Sequence, residues 1–290
     1  MTEKKIFLTI AGSDPSGGAG IQADIKTAVM LGLYPCSVIT ALTAQNTQGF
    51  RSADTVGADL IISQLSAVLE DFQPHAVKIG FLPDAKAVEV VADFCERYHL
   101  SDIILDPILS PTLLKAEGRE EVMIKIIERL LPIATLVTPN LEEFMAMENL
   151  SGTKLTLLCN AVLVKGGHTD GRDCIDTLYY HVDASSSQSL PSSAFPTIHN
   201  NSSILFHDSL IPEPSLCDSA VMSEEFRHKR IKTSNTHGTG CILSSAIACY
   251  LAMGKPLPKA IAKAVNFLEK ALDISSRFNP GQGNYGPTLI

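Results

Sequence analysis

The sequence lacks any paired or closely spaced cysteine pattern. Its 7 cysteines are odd in number, never spaced as Cys-x-x-Cys, and scattered at Cys36, Cys95, Cys159, Cys174, Cys217, Cys241 and Cys249. A disulfide framework or a zinc site needs cysteines that are paired or clustered along the chain. The pattern therefore predicts reduced thiols in a cytoplasmic protein.

Long apolar runs and basic runs are missing as well. No apolar stretch reaches the ~18 residues that a membrane span needs, and the run that follows the basic start is too short for a signal peptide. A net charge of -8 and a pI near 5.5 argue against a surface that binds nucleic acid. We expect a cytoplasmic protein that binds neither membrane nor nucleic acid.

What the sequence does contain is an alternation of short β-rich runs with longer helical patterns. The predicted strands are Ile6–Ile10, Cys36–Ala41, Ala76–Ile79, Ile103–Leu105, Leu136–Thr138 and Ala161–Val164. The predicted helices are Gln22–Leu31, Asp59–Glu70, Ala85–Tyr98, Glu120–Leu130, Leu141–Met147, Gly240–Met253 and Leu257–Arg277. This order is typical of a doubly wound, Rossmann-like parallel sheet with crossover helices.

One segment interrupts the alternation. Residues 183–223 are rich in serine and proline and have no sustained period. Such a composition buries too little apolar surface to order itself, so we expect a flexible insertion within a hairpin. A lid over a site is the alternative interpretation.

A glycine-rich turn follows the first predicted strand. Residues 13–24 read SDPSGGAGIQAD, with three glycines where the strand gives way to a helix. A turn of this kind at the carboxyl end of a strand lets a ligand approach bare backbone. It matches neither Gly-x-Gly-x-x-Gly nor a P-loop. Taken alone, it is compatible with a ligand site or with a purely structural turn.

A second motif, NTHGTGC, occupies residues 235–241 and precedes a small, apolar helical pattern. Amide N–H groups are free at a helix N-terminus, where the helix dipole also favours phosphate oxygens. The spacing therefore indicates an anion hole. The cysteine would lie in the first helical turn, where the pKa of a thiol is lowered from ~8.5 toward neutrality. A capped helix with a buried cysteine is the alternative.

Together these motifs resemble the hydroxymethylpyrimidine and hydroxymethylpyrimidine-phosphate kinases of thiamine biosynthesis. The matching segments, in family order, are AGSDPSGGAGIQADIKT, VITALTAQNTQG, VKIGF, ILDPIL, TPNLEE, VLVKGGH and NTHGTGC. The resemblance implies one ribokinase-like α/β domain over residues 1–290, with the insertion at about 183–223. In that fold, a central, mostly parallel sheet is flanked by helices on both faces in a Rossmann-like three-layer sandwich.

The resemblance also implies an activity. Relatives use ATP and Mg²⁺ to phosphorylate 4-amino-5-hydroxymethyl-2-methylpyrimidine and then its monophosphate, and they are usually homodimers. Two alternatives stay open. A pyridoxal kinase of vitamin B6 salvage would share the fold, the ATP side and the cysteine, whereas a non-catalytic pyrimidine-binding protein would have kept the fold alone.

Residue by residue, the resemblance assigns the substrate side to five positions. Gly12 matches a position whose backbone contacts the pyrimidine, and Asp24 matches one near the polar edge of the substrate. Gln45 matches the glutamine that binds the pyrimidine, because an amide offers a donor and an acceptor together. Phe81 and Ile108 match apolar walls of the pocket, although such residues are more often plain core.

The nucleotide side follows in the same way. Asp106 ends a strand at the site, and Asn140 and Glu143 form an Asn-x-x-Glu pattern that organises Mg²⁺ through water in this fold. Asp106 and Glu143 are the predicted metal residues, since Mg²⁺ binds few carboxylates and keeps several waters. Lys165 is predicted to meet ATP phosphate as a point charge. The alternative for Lys165 is an ordinary surface lysine.

At the reacting centre, the resemblance assigns the anion-hole amides to Gly238, Thr239 and Gly240. Cys241 takes the position where most ribokinase-like enzymes carry an aspartate base. A thiolate at this place could accept the proton of the attacking hydroxyl.

Overall fold

Nine strands of the described chain form a single sheet. The computed structural model describes residues 4–109, 116–166, 173–183, 219–278, 281–283, 286 and 288. The strands are β1 (Ile6–Ser13), β2 (Tyr34–Asn46), β3 (Gly49–Thr55), β4 (Ala76–Ile79), β5 (Ile103–Leu105), β6 (Leu136–Val137), β7 (Ala161–Val164), β8 (Asp173–Asp183) and β9 (Ser219–Lys229). Their order across the sheet is β3-β2-β1-β4-β5-β6-β7-β8-β9.

The centre of the sheet is parallel and its edges are antiparallel. Strands β2, β1, β4, β5, β6 and β7 run parallel and correspond to the six predicted strands, which are confirmed. The structure adds β3 at one edge and the β8–β9 hairpin at the other. The sequence analysis did not predict β3 because this edge strand has no buried residue and lacks the apolar alternation of a half-buried strand.

The helices also follow the prediction closely. They are α1 (Gly20–Met30), α2 (Ala58–Leu69), α3 (Ala85–Arg97), α4 (Ala116–Lys125), α5 (Leu141–Ser151), α6 (Thr239–Ala252) and α7 (Leu257–Ser276). The predicted helix Glu120–Leu130 is divided, because α4 passes into a π-helical turn over Ile126–Leu130. Short 3₁₀ turns occur at Leu131–Ile133 and Leu155–Leu157.

The helices cover both faces of the sheet because successive strand side chains point to opposite sides. In β5, Ile103 and Leu105 belong to a buried cluster on one face, with side chains of α2 and α3. Ile104 belongs to the cluster on the other face, with side chains of α6 and α7. The three-layer α/β sandwich expected from the sequence is therefore confirmed.

Helix α6 lies deep in the second of these layers. Its residues are buried on almost every side, as expected for a helix that is apolar all round. It packs against α1, α7 and the central strands β1, β4 and β5. This packing brings its N-terminus to the carboxyl edge of the parallel strands, where open α/β sheets bind their ligands.

The predicted insertion lies mostly outside the described residues. Strands β8 and β9 pair antiparallel and flank it, as expected for an insertion within a hairpin. Its predicted end at residue 223 is wrong, because residues 219–223 already belong to β9. Residues 184–218 are outside the described part, so the flexible character of the insertion stays a prediction.

Two features of the described part concern the cysteines and the length of the helices. Six cysteines are free and buried, and Cys217 lies outside the described residues. None of the helices described here combines the length and the apolar character that crossing a membrane requires.

Candidate active site

A cavity of about 560 Å³ opens at the carboxyl edge of the parallel strands. Its walls include Gly12, Gln45, Phe81, Ile108 and Cys241. The first four were predicted to bind substrate, and the structure brings them together around one space. Phe81 also belongs to the buried core, and Ile108 packs against that core. Each of the two residues is therefore both a core residue and part of the cavity wall. The volume suits a small aromatic ligand.

Asp14 organises the glycine-rich turn, residues 13–20. Its buried carboxylate accepts hydrogen bonds from the Ser16 amide at 2.8 Å, the Ser16 hydroxyl at 3.0 Å and the Ala19 amide at 2.8 Å. An aspartate that binds the backbone a few residues ahead is a recurrent way to close a turn. Gly20 has a φ of 55°, and a Cβ at this position would overlap the Gly12 carbonyl. The turn therefore needs both the carboxylate and the glycine.

Asp14 also joins the two motifs, although 223 residues separate it from His237. His237 Nε2 lies 2.8 Å from Asp14 Oδ2, and both residues line the cavity. Burial raises the pKa of Asp14, but the hydrogen bonds from His237 and Ser16 lower it more, so the pKa falls below its usual value. An ionised carboxylate only accepts hydrogen bonds, and the Nε2 atom is therefore the donor.

The hairpin of β2 and β3 carries Gln45 into the cavity wall. The pairing of β2 with β1 ends at Leu42, while β2 continues to Asn46 and pairs there with β3. Gln45 Nε2 donates a hydrogen bond to Thr43 Oγ1 at 3.0 Å. This bond fixes the orientation of an amide that lines the cavity.

The N-terminus of α6 touches the glycine-rich turn through bare backbone. Gly238 is the N-cap residue, with a φ of 85°, and a Cβ there would overlap the Gly18 carbonyl. The first N–H groups of a helix have no acceptor within it. The Thr239 amide has a 3.3 Å hydrogen bond to the Thr236 carbonyl, which leaves Gly240 and Cys241 as the donors best suited to an anion.

A charged pair lies against residues 238–241, the predicted anion-binding turn. Lys165 Nζ lies 2.8 Å from Asp106 Oδ1, and Thr138 Oγ1 donates to the same oxygen at 3.2 Å. A Cβ built on Gly240 would be 3.3 Å from Lys165 Nζ and 3.6 Å from Asp106 Oδ2. Burial raises the pKa of Asp106, but Lys165 and Lys78 lower it more, and the carboxyl is ionised. A cation and helix amides therefore converge beside the cavity.

Comparison with known proteins matches this chain to one family. The model of the phosphomethylpyrimidine kinase family matches residues 14–202 and 213–288. The chain belongs to this family. It is 36% identical to the hydroxymethylpyrimidine/phosphomethylpyrimidine kinase of Rhizobium meliloti, over 97% of this chain and 95% of that protein.

Solved structures confirm the ribokinase-like fold of this family member. The crystal structure of phosphomethylpyrimidine kinase from Clostridium difficile is 30% identical, covers 93% of this chain and 100% of its own, and has a TM-score of 0.65. An ADP complex of Bacillus subtilis pyridoxal kinase is 26% identical, covers 99% of this chain and 97% of its own, and has a TM-score of 0.74. These relatives are named as kinases, and this chain therefore belongs to a family of phosphotransferases.

Asp24 is the predicted substrate residue that the structure does not bring to the cavity of this kinase. It is 0% exposed, and its carboxylate forms an ion pair with Lys78 at 2.9 Å. The same carboxylate accepts hydrogen bonds from Thr9 Oγ1 at 2.6 Å and Ser245 Oγ at 2.8 Å. The prediction that Asp24 lies at the polar edge of the substrate is therefore wrong, because α1 turns this side chain into the core.

Cys241 also differs from its prediction. It lines the cavity but is only 5% exposed. Burial raises the pKa of its thiol to about 11, against an opposing effect of the Lys78 charge. The structure contradicts the predicted lowering toward neutrality, because the loss of solvent and the charges of Asp24 and Asp106 outweigh the Lys78 charge and a hydrogen bond from the Gly20 amide. The thiol is protonated at neutral pH.

The Asn-x-x-Glu pattern has a structural use that the sequence analysis did not consider. Asn140 caps α5 by accepting from the Glu143 amide at 2.8 Å, and Glu143 Oε2 accepts from the Asn140 amide at 2.8 Å. This reciprocal arrangement is a capping box. Burial raises the pKa of Glu143, Lys165 opposes this effect, and Asp106 adds to it. The carboxylates of Asp106 and Glu143 thus both interact electrostatically with Lys165.

The fit of this arrangement to Mg²⁺ can be judged from its donors. No group of three or more His, Cys, Asp and Glu side chains able to hold a metal occurs in the described ranges. Mg²⁺ commonly binds through one or two carboxylates, substrate phosphates and waters rather than through a full protein cage. The carboxylate of Asp106 lies beside residues 238–241, and that of Glu143 interacts electrostatically with the same lysine, Lys165, so the two carboxylates fit that mode.

Several residues of the site were missed by the sequence analysis. Asp14 could have been found, because Asp-Pro-Ser before glycines is a turn signal in which the carboxylate binds backbone. Lys78 also had a signal, since a lysine inside the apolar strand β4 must be paired if it is buried. No local signal pointed to His237 as the partner of Asp14, because only tertiary packing brings the two motifs together.

Proposed function

We propose that this kinase transfers the γ-phosphoryl group of ATP to the hydroxymethyl group of 4-amino-5-hydroxymethyl-2-methylpyrimidine and then to its monophosphate. The observation that carries the proposal is the position of the anion-binding turn between the cavity, on one side, and the Lys165–Asp106 pair on the other. Membership of a kinase family and likeness to an ADP complex support ATP as the donor.

In this proposal the pyrimidine occupies the cavity. The Gln45 amide offers a donor and an acceptor to the ring nitrogen and the exocyclic amine. The backbone at Gly12 lies along the ring, and Phe81 and Ile108 enclose it. The hydroxymethyl group then points to Cys241, at the start of α6.

Transfer of the phosphoryl group depends mainly on positioning and on neutralising charge. The Gly240 and Cys241 amides and the Lys165 ammonium serve this role, with Gly238 and Thr239 shaping the turn. Because the thiol is protonated and buried, its base strength contributes less than these fixed charges. Electrostatic stabilisation of this kind is commonly the largest single term in catalysis.

Mg²⁺ belongs to the proposal as well. Asp106 and Glu143 would hold it, in part through water, and the ion would neutralise charge on the phosphates of ATP. Asn140 acts indirectly, because it fixes the backbone and side chain of Glu143 through the capping box.

A homodimer in the cytoplasm completes the proposal. Six buried free thiols support a reducing compartment. Light scattering of the purified protein tests the dimer, and fractionation of cells that express it tests the location.

A pyridoxal kinase is the second candidate, because the TM-score to the Bacillus subtilis enzyme is 0.74. Pyridoxal has no aminopyrimidine edge for the Gln45 amide. The ratio of kcat/KM for the two substrates decides between the candidates, and a higher value for pyridoxal would reverse the order proposed here.

A phosphorus-NMR time course tests the main proposal directly. The protein is mixed with ATP, Mg²⁺ and hydroxymethylpyrimidine, and we expect the monophosphate to appear first and the diphosphate to follow. A stop at the monophosphate would limit the function to the first step. Consumption of ATP without a pyrimidine phosphate would contradict the proposal.

A further inference from the structure

Lys78 and Asp24 form an ion pair that is fully removed from solvent. Lys78 Nζ, on β4, lies 3.0 Å and 2.9 Å from the two carboxylate oxygens of Asp24, on α1. Both side chains are 0% exposed. A buried pair is often no more stabilising than apolar side chains of the same volume, because both charges lose their hydration. Stability alone is therefore a poor explanation of this pair.

The carboxylate of Asp24 connects four structural elements. Besides Lys78, it accepts hydrogen bonds from Thr9 Oγ1 on β1 and from Ser245 Oγ on α6. Ser245 follows Cys241 by four residues and thus lies one turn further along the same face of α6. Through Ser245, the sheet and α1 hold the first two turns of α6.

The charge of Lys78 lies close to the reacting centre. A Cβ built on Gly80, the residue before the cavity wall at Phe81, would be 2.9 Å from Lys78 Nζ. The ammonium group also interacts electrostatically with Cys241, which belongs to the anion-binding turn, and with Asp106, which lies beside that turn. The ammonium of this ion pair therefore acts electrostatically on the turn whose amides would receive the phosphoryl group.

We propose that Lys78 and Asp24 are a positioning pair for phosphoryl transfer. Asp24 holds the anion-binding turn in place through Ser245, and Lys78 adds a buried positive charge behind that turn. Neither side chain reaches the substrate, so both act through α6. This inference rests on the proposed kinase function.

Two variants separate the two parts of the proposal. Ser245→Ala breaks the link to α6 and leaves both charges in place. The double variant Lys78→Met/Asp24→Asn removes both charges together, so that neither is left buried without a partner. Thr27→Val is the matched control, because Thr27 is a buried hydroxyl on α1 that donates only to the Ala23 carbonyl of its own helix.

The first measurement is steady-state kinetics with ATP and the pyrimidine. We expect Ser245→Ala to lower kcat about 3- to 10-fold, the equivalent of one hydrogen bond. We expect the double variant to lower kcat about 10-fold or more, since a preorganised charge is lost. Both KM values should stay within about twofold, because the pair does not contact ground-state substrate.

The second measurement is hydrogen exchange of the peptide that contains residues 239–245, which needs no turnover. We expect faster exchange in Ser245→Ala and in the double variant, and no change in Thr27→Val. If both variants are folded and keep the kcat and the exchange of the wild type, the pair is only structural and the proposal is wrong.

Two further outcomes, an unfolded double variant and a wild-type protein without turnover, remain informative. If the double variant does not fold, Ser245→Ala decides alone, and a normal kcat with unchanged exchange overturns the inference. If the wild-type protein shows no turnover with any substrate, the proposed function has failed. The exchange comparison then still decides whether Asp24 and Ser245 position α6.

Discussion

Replacing Asp14 by Asn is the sharpest test of how the site is built. The Asp14 carboxylate accepts four hydrogen bonds, two from Ser16, one from Ala19 and one from His237. Asn has nearly the same shape, but it keeps only one oxygen and presents an NH₂ group to at least one of these donors. The substitution therefore removes the negative charge and one acceptor oxygen while the volume of the side chain stays nearly constant.

The expected loss follows from the donors that remain unpaired. Hydrogen bonds to a charged group are worth about 1.5 to 3 kcal/mol each, and the best rotamer of Asn gives up at least one of them. We therefore expect Asp14→Asn to lower the free energy of unfolding by about 2 to 3 kcal/mol at pH 7. Asp273→Asn is the control, because Asp273 is 55% exposed and pairs with the exposed Arg277, which predicts a loss below about 1 kcal/mol.

The stabilising effect of the Asp14 carboxylate depends on pH in a direction that can be predicted. Since the pKa of Asp14 in the folded protein is below its usual value, its stabilising effect is present above the unfolded pKa of about 3.9. The effect is lost as the pH falls through the folded value. Urea unfolding of the wild type and the variant should therefore give a difference that shrinks below about pH 4. A difference that is the same at pH 3 and pH 7, or that equals the loss in Asp273→Asn, would refute the reasoning.

Three further predictions concern the cavity and the anion-binding turn. Gln45→Ala should raise KM for the pyrimidine about 3- to 10-fold and leave KM for ATP unchanged, with the exposed Gln73→Ala as control; equal increases would indicate a structural role. Cys241→Ser should lower kcat less than about 10-fold, because the thiol is protonated and buried. A ~10²- to 10⁴-fold loss of kcat would indicate instead that the Cys241 thiol acts as the base. Gly238→Ala should destabilise the fold more than Gly254→Ala, as both have positive φ but only Gly238 faces the Gly18 carbonyl; equal losses in melting temperature would contradict the overlap.

The sequence was sufficient for the layout of the fold. The alternation of apolar strands with amphipathic helices predicted the six parallel strands and the helices that cover them, because periodicity reports which face of an element is buried. The two glycine-rich motifs also predicted a site at the carboxyl edge of the sheet, and residues of both motifs line the cavity there. The same reasoning failed for β3, whose exposed residues lack that periodicity.

The roles of individual polar residues were harder to predict. Asn140 and Glu143 were predicted as organisers of a metal, and the structure shows that they form the capping box of α5. Both uses involve the same spacing, so the sequence alone did not separate them. The proposed metal role now depends on the electrostatic interaction of Asp106 with Glu143, which belong to different parts of the fold.

Tertiary structure alone decided the environment of each buried group. The sequence predicted Asp24 as a substrate residue, but in the fold its side chain forms an ion pair with Lys78. The sequence also predicted a low pKa for the Cys241 thiol, but burial raises that pKa. The contact between Asp14 and His237 spans 223 residues. Local sequence determines which face of a helix or strand is apolar, but desolvation and charge pairing depend on which distant element packs against that face.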